Sequence, residues 1–190
     1  MWKVVCLLCV VALLTSCRRP APAEAGTEGK DHMTLTVTTT AFKEGETIPV
    51  KYTGDGANVS PPLQWTTVPE HTQSIALICS DPDAPGGTWI HWVIFNIPGD
   101  AARLPEAVPK QAMLPDGTQQ GINSGKATGY DGPAPPPGPL HHYYFHVYAL
   151  DGKLALSGKV TKDSLLKAMT GHILGEGQVM GVYRRVKSEE

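Results

Sequence analysis

Two aspartates and two histidines are the side chains of this sequence whose types and spacing suit chemistry best. Asp81 and Asp83 flank a proline in a short Asp-Pro-Asp-Ala-Pro turn, and His91 follows in the next apolar run. His141 begins a later apolar run that can reach the same place. A carboxylate close to an imidazole favours the imidazolium form of the ring. Such a cation, together with backbone N–H groups of a Gly/Pro loop, can bind an oxyanion such as phosphate. These residues indicate a small polar pocket for an anion.

Each of these residues also has an alternative interpretation. A core histidine such as His91 can satisfy its ring nitrogens with a carboxylate or a carbonyl group. Asp81 can serve the turn alone, because aspartate side chains accept hydrogen bonds from nearby backbone N–H groups. The acids and histidines could also be catalytic or metal-binding. However, the chain has no Gly-x-Ser-x-Gly turn, no His-Glu-x-x-His motif and no glycine-rich phosphate loop. We therefore predict a binding protein with no catalytic residues, no metal and no cofactor.

Strand patterns dominate the segments that must position these residues. Residues 74–80, 90–97 and 141–150 are almost continuously apolar and rich in β-branched and aromatic side chains. Such runs are typical of central strands covered on both faces. The stretch 98–139 is rich in Pro and Gly and has no clear period, so it predicts a long loop region that is functional or held by tertiary contacts.

Shorter patterns complete a mainly β prediction. Alternation predicts strands over 35–39 and 48–52 and a last strand over 179–186. One helix is indicated between a cap at Thr161 and an end at Gly175, because four apolar residues share a face, namely Leu165, Leu166, Met169 and Ile173. The fold class is therefore a sandwich or packed sheets with one or two helices.

Alternation also sorts the histidines by face. His91 is predicted to share its face with three apolar residues of its run, namely Val93, Phe95 and Ile97. His141 is predicted to share its face with the next odd-numbered residues, namely Tyr143, Phe145, Val147 and Ala149. His142 and His146 lie among tyrosines on the opposite face, where a half-exposed polar layer explains them. His91 and His141 thus stand at strand beginnings, near a surface mouth.

Bulk properties exclude some classes of function. The formal net charge of the 190-residue chain is −2 and no basic cluster is present, so we expect no nucleic-acid partner. Cys79 is the one cysteine within the predicted globular part, and a lone cysteine forms no internal disulfide. We expect Cys79 to be a small buried apolar residue.

The first residues are typical of an export signal. Residues 1–16 have a positive start and an apolar run that is shorter than the ~20 residues a membrane-spanning helix needs. The run ends in Leu-Thr-Ser-Cys, similar to a bacterial lipobox, which predicts a lipidated Cys17. Residues 17–32 are predicted to be a flexible tether and residues 33–190 the globular domain. The alternative is an ordinary signal peptide with an incidental cysteine.

These features predict a location. A lipidated chain would be anchored by acyl chains in the cell envelope. Arg18 after the cysteine, and not aspartate, resembles outer-membrane sorting, so the domain is expected to face the periplasm if the cell is Gram-negative.

Two separated signatures resemble the phosphatidylethanolamine-binding protein family. The first comprises residues 81–85 and 91–93, and the second comprises residues 129–136 and 141–145. The bacterial branch is most similar, since the second signature continues into Val-Tyr-Ala-Leu-Asp at 147–151. The resemblance implies a central antiparallel β-sheet packed on a smaller sheet with one or two peripheral helices. It also implies a small anion-binding cavity at the sheet end.

The resemblance also implies site residues and details of the rim. Carried over to this chain, the ligand-binding residues are Asp81, Asp83, His91, Gly132, His141 and Tyr143. The bond between Ala84 and Pro85 is expected to be cis. His142 stands where many relatives have arginine, and Gly86-Gly87-Thr88 makes a looser, less charged rim. No extra C-terminal helix follows the last predicted strand, so a more open mouth is expected.

The sequence thus favours a membrane-anchored protein that binds a small anionic ligand, either phosphate or a phospholipid headgroup. The alternative is an inhibitor or regulator of a protease or another envelope or host protein, acting through surface contacts. In that case the protein target is unknown.

Overall fold

A computed structural model describes residues 32–186. The predicted signal peptide and Cys17 therefore lie outside the described residues. Within the described range the chain forms nine strands, one α-helix (α1, Lys162–Met169) and a short 3-10 helix (Val50–Tyr52). The strands are β1 (Met33–Thr34), β2 (Thr36–Thr38), β3 (Leu63–Thr66), β4 (Ser74–Asp81), β5 (Trp89–Pro98), β6 (Arg103–Leu104), β7 (Gln119–Gln120), β8 (His141–Leu150) and β9 (Ile173–Tyr183).

The strands form two sheets. The larger sheet has six strands in the order β1-β9-β8-β4-β5-β7, and the smaller has three in the order β2-β3-β6. Neighbouring strands are antiparallel except for the parallel pair β1 and β9. The predicted fold class is confirmed: a mainly β protein with a central antiparallel sheet, a smaller sheet and one helix.

The large sheet is covered on both faces. The core between the two sheets contains Trp65 of the small sheet and Leu77 and Phe145 of the large one. The second core lies under α1, where Leu165 and Met169 cover the other face. Strand β4 is buried along its whole length, as its continuous apolar run predicts. Cys79 is buried in the first core, as expected.

Two predicted elements are wrong in part. Residues 50–52 form the 3-10 helix and not a strand, because Pro49 before them has no N–H for a ladder and a fixed φ of −57°. Helix α1 has the predicted cap at Thr161 but ends at Met169. Ile173 and Gly175 belong to β9, which starts earlier than predicted.

The predicted face of His91 is also wrong, because β5 contains irregularities that alternation cannot detect. Cys79 pairs with Trp92 and Ser80 pairs with Ile90, so His91 is an extra residue in a β-bulge. As a result, His91 lies against Tyr143 on the face opposite to Val93. A second shift near Asn96 also separates the faces of Phe95 and Ile97.

The predicted face of His141 is confirmed. The other odd-numbered residues of its row all belong to the core between the sheets, namely Tyr143, Phe145, Val147 and Ala149. The even-numbered residues from His142 to Tyr148 are half-buried, and His146 stacks between Tyr144 and Tyr148.

Candidate functional site

A cavity of about 350 Å³ opens at the end of the large sheet where β4 finishes and β5 and β8 begin. Its polar lining comes from these three strand ends and from the loop after residue 130, namely Asp81, His91, Asp131, Gly132, His141 and Tyr143. Five of the six predicted site residues therefore lie around one cavity, and Asp83 does not line it.

Asp81 and His141 form a buried pair on neighbouring strands. His141 Nδ1 lies 2.8 Å from Asp81 Oδ2, and both side chains are almost fully buried. The carboxylate holds the imidazole ring in place, which leaves Nε2 for a ligand. The other carboxylate oxygen, Oδ1, accepts a hydrogen bond of 2.8 Å from the backbone N–H of Asp83. Asp81 thus shapes the turn and orients His141 at the same time.

His91 is held by the backbone of the loop that follows Tyr130. His91 Nδ1 lies 2.6 Å from the carbonyl oxygen of Asp131. A carbonyl oxygen can only accept, so Nδ1 carries the proton. Burial is the largest influence on the imidazole and lowers the pKa of His91, which favours the neutral ring.

Two polar atoms beside the cavity have no partner among the described residues. These atoms are Nε2 of His91 and the hydroxyl oxygen of Tyr143. The two rings meet edge to face with centroids 5.1 Å apart, and both residues line the cavity. Burial, reinforced by the charge of Asp81, raises the pKa of Tyr143, so its hydroxyl keeps its proton and can donate. A ligand could satisfy both atoms.

Asp83 supports the turn from outside the cavity. Its Oδ2 accepts hydrogen bonds from the backbone N–H of His142 at 2.9 Å and from His142 Nδ1 at 2.7 Å. These bonds to His142 hold the pKa of the Asp83 carboxyl below its ordinary value. Asp83 therefore ties the turn to the start of β8, and His142 is its partner at the rim.

The turn itself differs from the expected conformation. The described residues contain no cis peptide bond, so the Ala84–Pro85 bond is trans. The chain reverses through other devices: the Asp81 carboxylate binds the Asp83 N–H, and the glycines at 86 and 87 adopt positive φ. The expectation of a cis bond, which rested on the resemblance, is therefore wrong.

Gly132 forms part of the cavity wall because only glycine fits there. A methyl group on Gly132 would collide with the carbonyl oxygen of Tyr52. The Gly132 N–H donates to Asn58 Oδ1 at 2.7 Å, so it is not available to a ligand. The Asn58 amide also donates to Asp131 Oδ1 at 2.9 Å. Asn58 thus clamps the loop segment whose carbonyl group holds His91.

Sequence reasoning did not identify Asn58 or Asp131 as site residues. Asn58 adopts a φ of 53°, a conformation in which asparagine is enriched, but that preference is too general to indicate a site. Asp131 lies within the second signature, and its backbone carbonyl, which any residue has, makes the contact to His91.

The mouth of the cavity is apolar. Its rim is formed by Trp89, Ala84, Pro85, Ala134 and Pro136, and the buried Pro135 lines the wall beneath them. Trp89 is 41 % exposed. The cavity therefore combines a polar floor with an apolar entrance, a common arrangement in small-molecule sites.

The family model for phosphatidylethanolamine-binding protein matches residues 38–184, which include the whole cavity and both sheets except β1 and most of β2. The chain belongs to the phosphatidylethanolamine-binding protein family. The resemblance of the two signatures to this family is thus confirmed.

Relatives in archaea and bacteria support this membership. A UPF0098 protein of Methanothermobacter thermautotrophicus is 51 % identical over 151 residues, which cover 80 % of this chain and 99 % of that protein. A crystal structure from Chlamydia trachomatis, described as a homolog of phosphatidylethanolamine-binding protein, is 39 % identical with a TM-score of 0.72. Escherichia coli YbcL, described as a member of the mammalian family, is 33 % identical with a TM-score of 0.74. Each match covers 80 % of this chain and 98 % of the solved one.

The described residues contain neither a metal-binding cluster nor a membrane-spanning helix. Between residues 32 and 186, no group of three histidine, cysteine, aspartate or glutamate side chains is arranged to hold a metal ion. No helix in that range is long and apolar enough to cross a bilayer.

Proposed function

We propose that this protein binds a small anionic ligand, a phosphate group or a phospholipid headgroup, in the cavity between the strand ends. The observation that carries the proposal is the pair of buried atoms without partners, His91 Nε2 and the Tyr143 hydroxyl. A buried polar group left unpaired destabilises a protein by about 1–3 kcal/mol, so a ligand that pairs both atoms gains that energy. The family name, which describes binding, supports a binding protein over an enzyme.

The arrangement of the cavity supports an amphipathic ligand. The floor can offer the Tyr143 hydroxyl and Nε2 of His141 to the oxygens of a polar group. The apolar rim can cover carbon atoms attached to that group, and Trp89 has the largest side chain in it. A headgroup with a short alkyl segment fits both regions.

Membrane anchoring through Cys17 is the second part of the proposal. It is supported by the apolar leader and the Leu-Thr-Ser-Cys segment. Acyl chains on Cys17 would hold the domain beside phospholipid headgroups in the cell envelope. Fractionation of cells that express wild type or Cys17→Ala tests it: we expect the wild type in the membrane fraction and the variant in the soluble fraction. Equal distributions would contradict it.

Calorimetric titration of the full chain with phosphoethanolamine tests the binding function. We expect saturable binding that weakens at least tenfold in His91→Ala and in His141→Ala, since each variant loses a polar partner in the cavity. His172→Ala is the matched control, because His172 forms an exposed pair with Asp151 away from the cavity. A flat titration for wild type, or equal losses in all three variants, would overturn the proposal.

Regulation of another protein is the second candidate. The observation that favours it is the exposure of two large apolar side chains near the mouth, Trp89 and Leu140, which precedes His141. Interface centres are rich in such side chains. Capture of one envelope protease by wild type but not by Trp89→Ser with Leu140→Ser would support this function, and undiminished capture by the double variant would contradict it.

A further inference from the structure

The two unpaired atoms of the cavity have opposite hydrogen-bonding roles. The His91 ring donates through Nδ1 to the carbonyl oxygen of Asp131. In the neutral ring, Nε2 is then an acceptor with a free lone pair. The Tyr143 hydroxyl is a donor that lies near the Asp81 carboxylate but forms no hydrogen bond of ordinary length and angle with it, so its proton is left for a ligand. A ligand that completes this site must donate at one point and accept at another.

The surroundings of His91 keep the acceptor in place. His91 is 5 % exposed, and its burial opposes the charged form of the ring. The charged or titratable groups that face it are Asp81 from β4, Asp131 from the loop, and His141 and Tyr143 from β8. None of these groups forms a hydrogen bond with Nε2 within the described range.

Oxyanions differ in whether they can donate. A phosphomonoester with one negative charge keeps a P–OH group, which donates, beside oxygens that accept. A sulfate ester or a phosphodiester also has one negative charge but only accepts. An oxygen of such an ion placed against His91 Nε2 would oppose two lone pairs and leave the acceptor unpaired. The ionised Asp81 carboxylate also lines the cavity and only accepts hydrogen bonds, so it too favours a ligand that can donate.

We propose that the cavity selects oxyanions that still carry a proton, so that phosphomonoesters are its ligands in preference to phosphodiesters and sulfates. This inference rests on the proposed anion-binding function and adds the class of anion. The P–OH group donates to His91 Nε2, and a phosphoryl oxygen accepts from the Tyr143 hydroxyl. Discrimination follows from the proton and not from the charge or the size of the ligand.

Calorimetric titration of the full chain at pH 5.0 with methyl phosphate and methyl sulfate tests the inference. The second pKa of a phosphomonoester is about 6, so roughly nine-tenths of methyl phosphate is then a monoanion. The two esters have the same charge and nearly the same size. We expect methyl phosphate to bind at least tenfold more tightly. Because the monoanion is depleted at higher pH, the affinity for methyl phosphate should fall about 30-fold between pH 5.0 and 7.5.

Each outcome has a distinct meaning. Equal affinity for both esters at pH 5.0 would overturn the inference and leave anion binding intact, since His91 would then supply the proton. Failure of both esters to bind would overturn the proposed function as well. Tyr143→Phe should weaken both esters equally and retain the preference, whereas His91→Phe should abolish the preference. If His91→Phe does not fold, the comparison of the two esters in wild type still decides.

Phosphomonoesters occur both free and as lipid headgroups, and a vesicle experiment separates these sources. The full chain is sedimented with phosphatidylcholine vesicles that contain either phosphatidate, a monoester, or phosphatidylethanolamine, a diester. If the chain sediments with phosphatidate vesicles and added methyl phosphate prevents this, the ligand is a lipid headgroup. If the chain binds methyl phosphate but does not sediment with the vesicles, the ligand is a soluble phosphomonoester. Stronger competition-sensitive sedimentation with phosphatidylethanolamine would overturn the inference.

Discussion

Two aspartate–histidine pairs in this molecule have the same geometry and very different surroundings. In the cavity, Asp81 and His141 are 2.8 Å apart and their side chains are 5 % and 3 % exposed. At the opposite end of β8, Asp151 and His172 are 2.7 Å apart but 37 % and 53 % exposed. The distance between the partners therefore does not distinguish a site from a surface contact. Burial does, together with the unpaired atoms of the neighbouring residues.

The pair between Asp83 and His142 is close to the cavity but behaves as a surface pair. Its partners are 2.7 Å apart with exposures of 42 % and 40 %. It adds a backbone hydrogen bond that joins the turn to β8. Asp83 thus supports the turn from outside the cavity, whereas Asp81 and His141 are buried in the cavity lining.

Replacement of the aspartate in the buried pair and in the exposed pair should give the largest difference in the free energy of unfolding. Asp81→Ala leaves a buried His141 and the Asp83 N–H without a partner, and we expect it to lower the free energy of unfolding by about 3–5 kcal/mol. Asp151→Ala should lower it by less than about 1 kcal/mol, because water replaces the lost contact. Urea unfolding of both variants measures the difference. Equal effects would show that burial is not what separates the pairs.

The pH dependence of stability should distinguish the buried His91 from the exposed His172. Burial lowers the pKa of His91, so the folded chain binds this proton more weakly than the unfolded chain does. The folded state must then lose stability as the pH falls below about 6.5, by up to about 1.4 kcal/mol per pH unit. His91→Gln should lose this part of the slope between pH 7 and 5. His172→Ala, the exposed control, should keep it.

Replacement of two loop-holding asparagines, Asn58 near the cavity and Asn96 away from it, tests which loop is needed for ligand binding. Asn58 and Asn96 have φ angles of 53° and 56°, and each side chain holds a loop through two hydrogen bonds. Replacement by glycine, which accepts this φ, should destabilise both variants by a similar amount. Only Asn58→Gly should weaken the binding of phosphoethanolamine, by about tenfold, because it frees the loop that orients His91. Equal affinities in the two variants would remove Asn58 from the site.

The smallest effect is expected at Asp83. Its pKa lies below the ordinary value of 3.8 because of the bonds to His142, so its contribution to stability is present above that value and is lost as the pH falls through the folded pKa. Asp83→Asn should cost less than about 1 kcal/mol at pH 7, because the pair is exposed. The two proteins should become equally stable once the pH lies below the pKa of Asp83 in the folded chain. A larger loss in urea unfolding would place Asp83 with the buried pair.

The sequence predicted the strands whose patterns are continuous, and it missed what depends on single irregular residues. The alternation of β8 correctly placed His141 and Tyr143 on the inner face. The same rule failed for His91, because one extra residue in a bulge reverses the face and leaves no mark in the pattern of side chains.

The residues that support the site were equally hidden from the sequence. Asn58 reaches Asp131 and Gly132 across a large separation along the chain, and only the tertiary fold reveals that contact. The start of β9 was missed because its glycines, Gly175 and Gly177, lower the propensity for a strand. The signatures indicated residues that the structure places around one cavity, whereas the structure was needed to assign which of their atoms lack a partner.

A crystal structure of the protein with phosphoethanolamine at pH 5.0 would show whether the two unpaired atoms of the cavity bind a phosphate group. We expect the phosphate group in the cavity, with one oxygen within hydrogen-bond distance of His91 Nε2 and another within that distance of the Tyr143 hydroxyl. The pair of Asp151 and His172 should hold no ligand. A cavity without phosphate at a saturating ligand concentration, with both atoms still unpaired, would contradict the account.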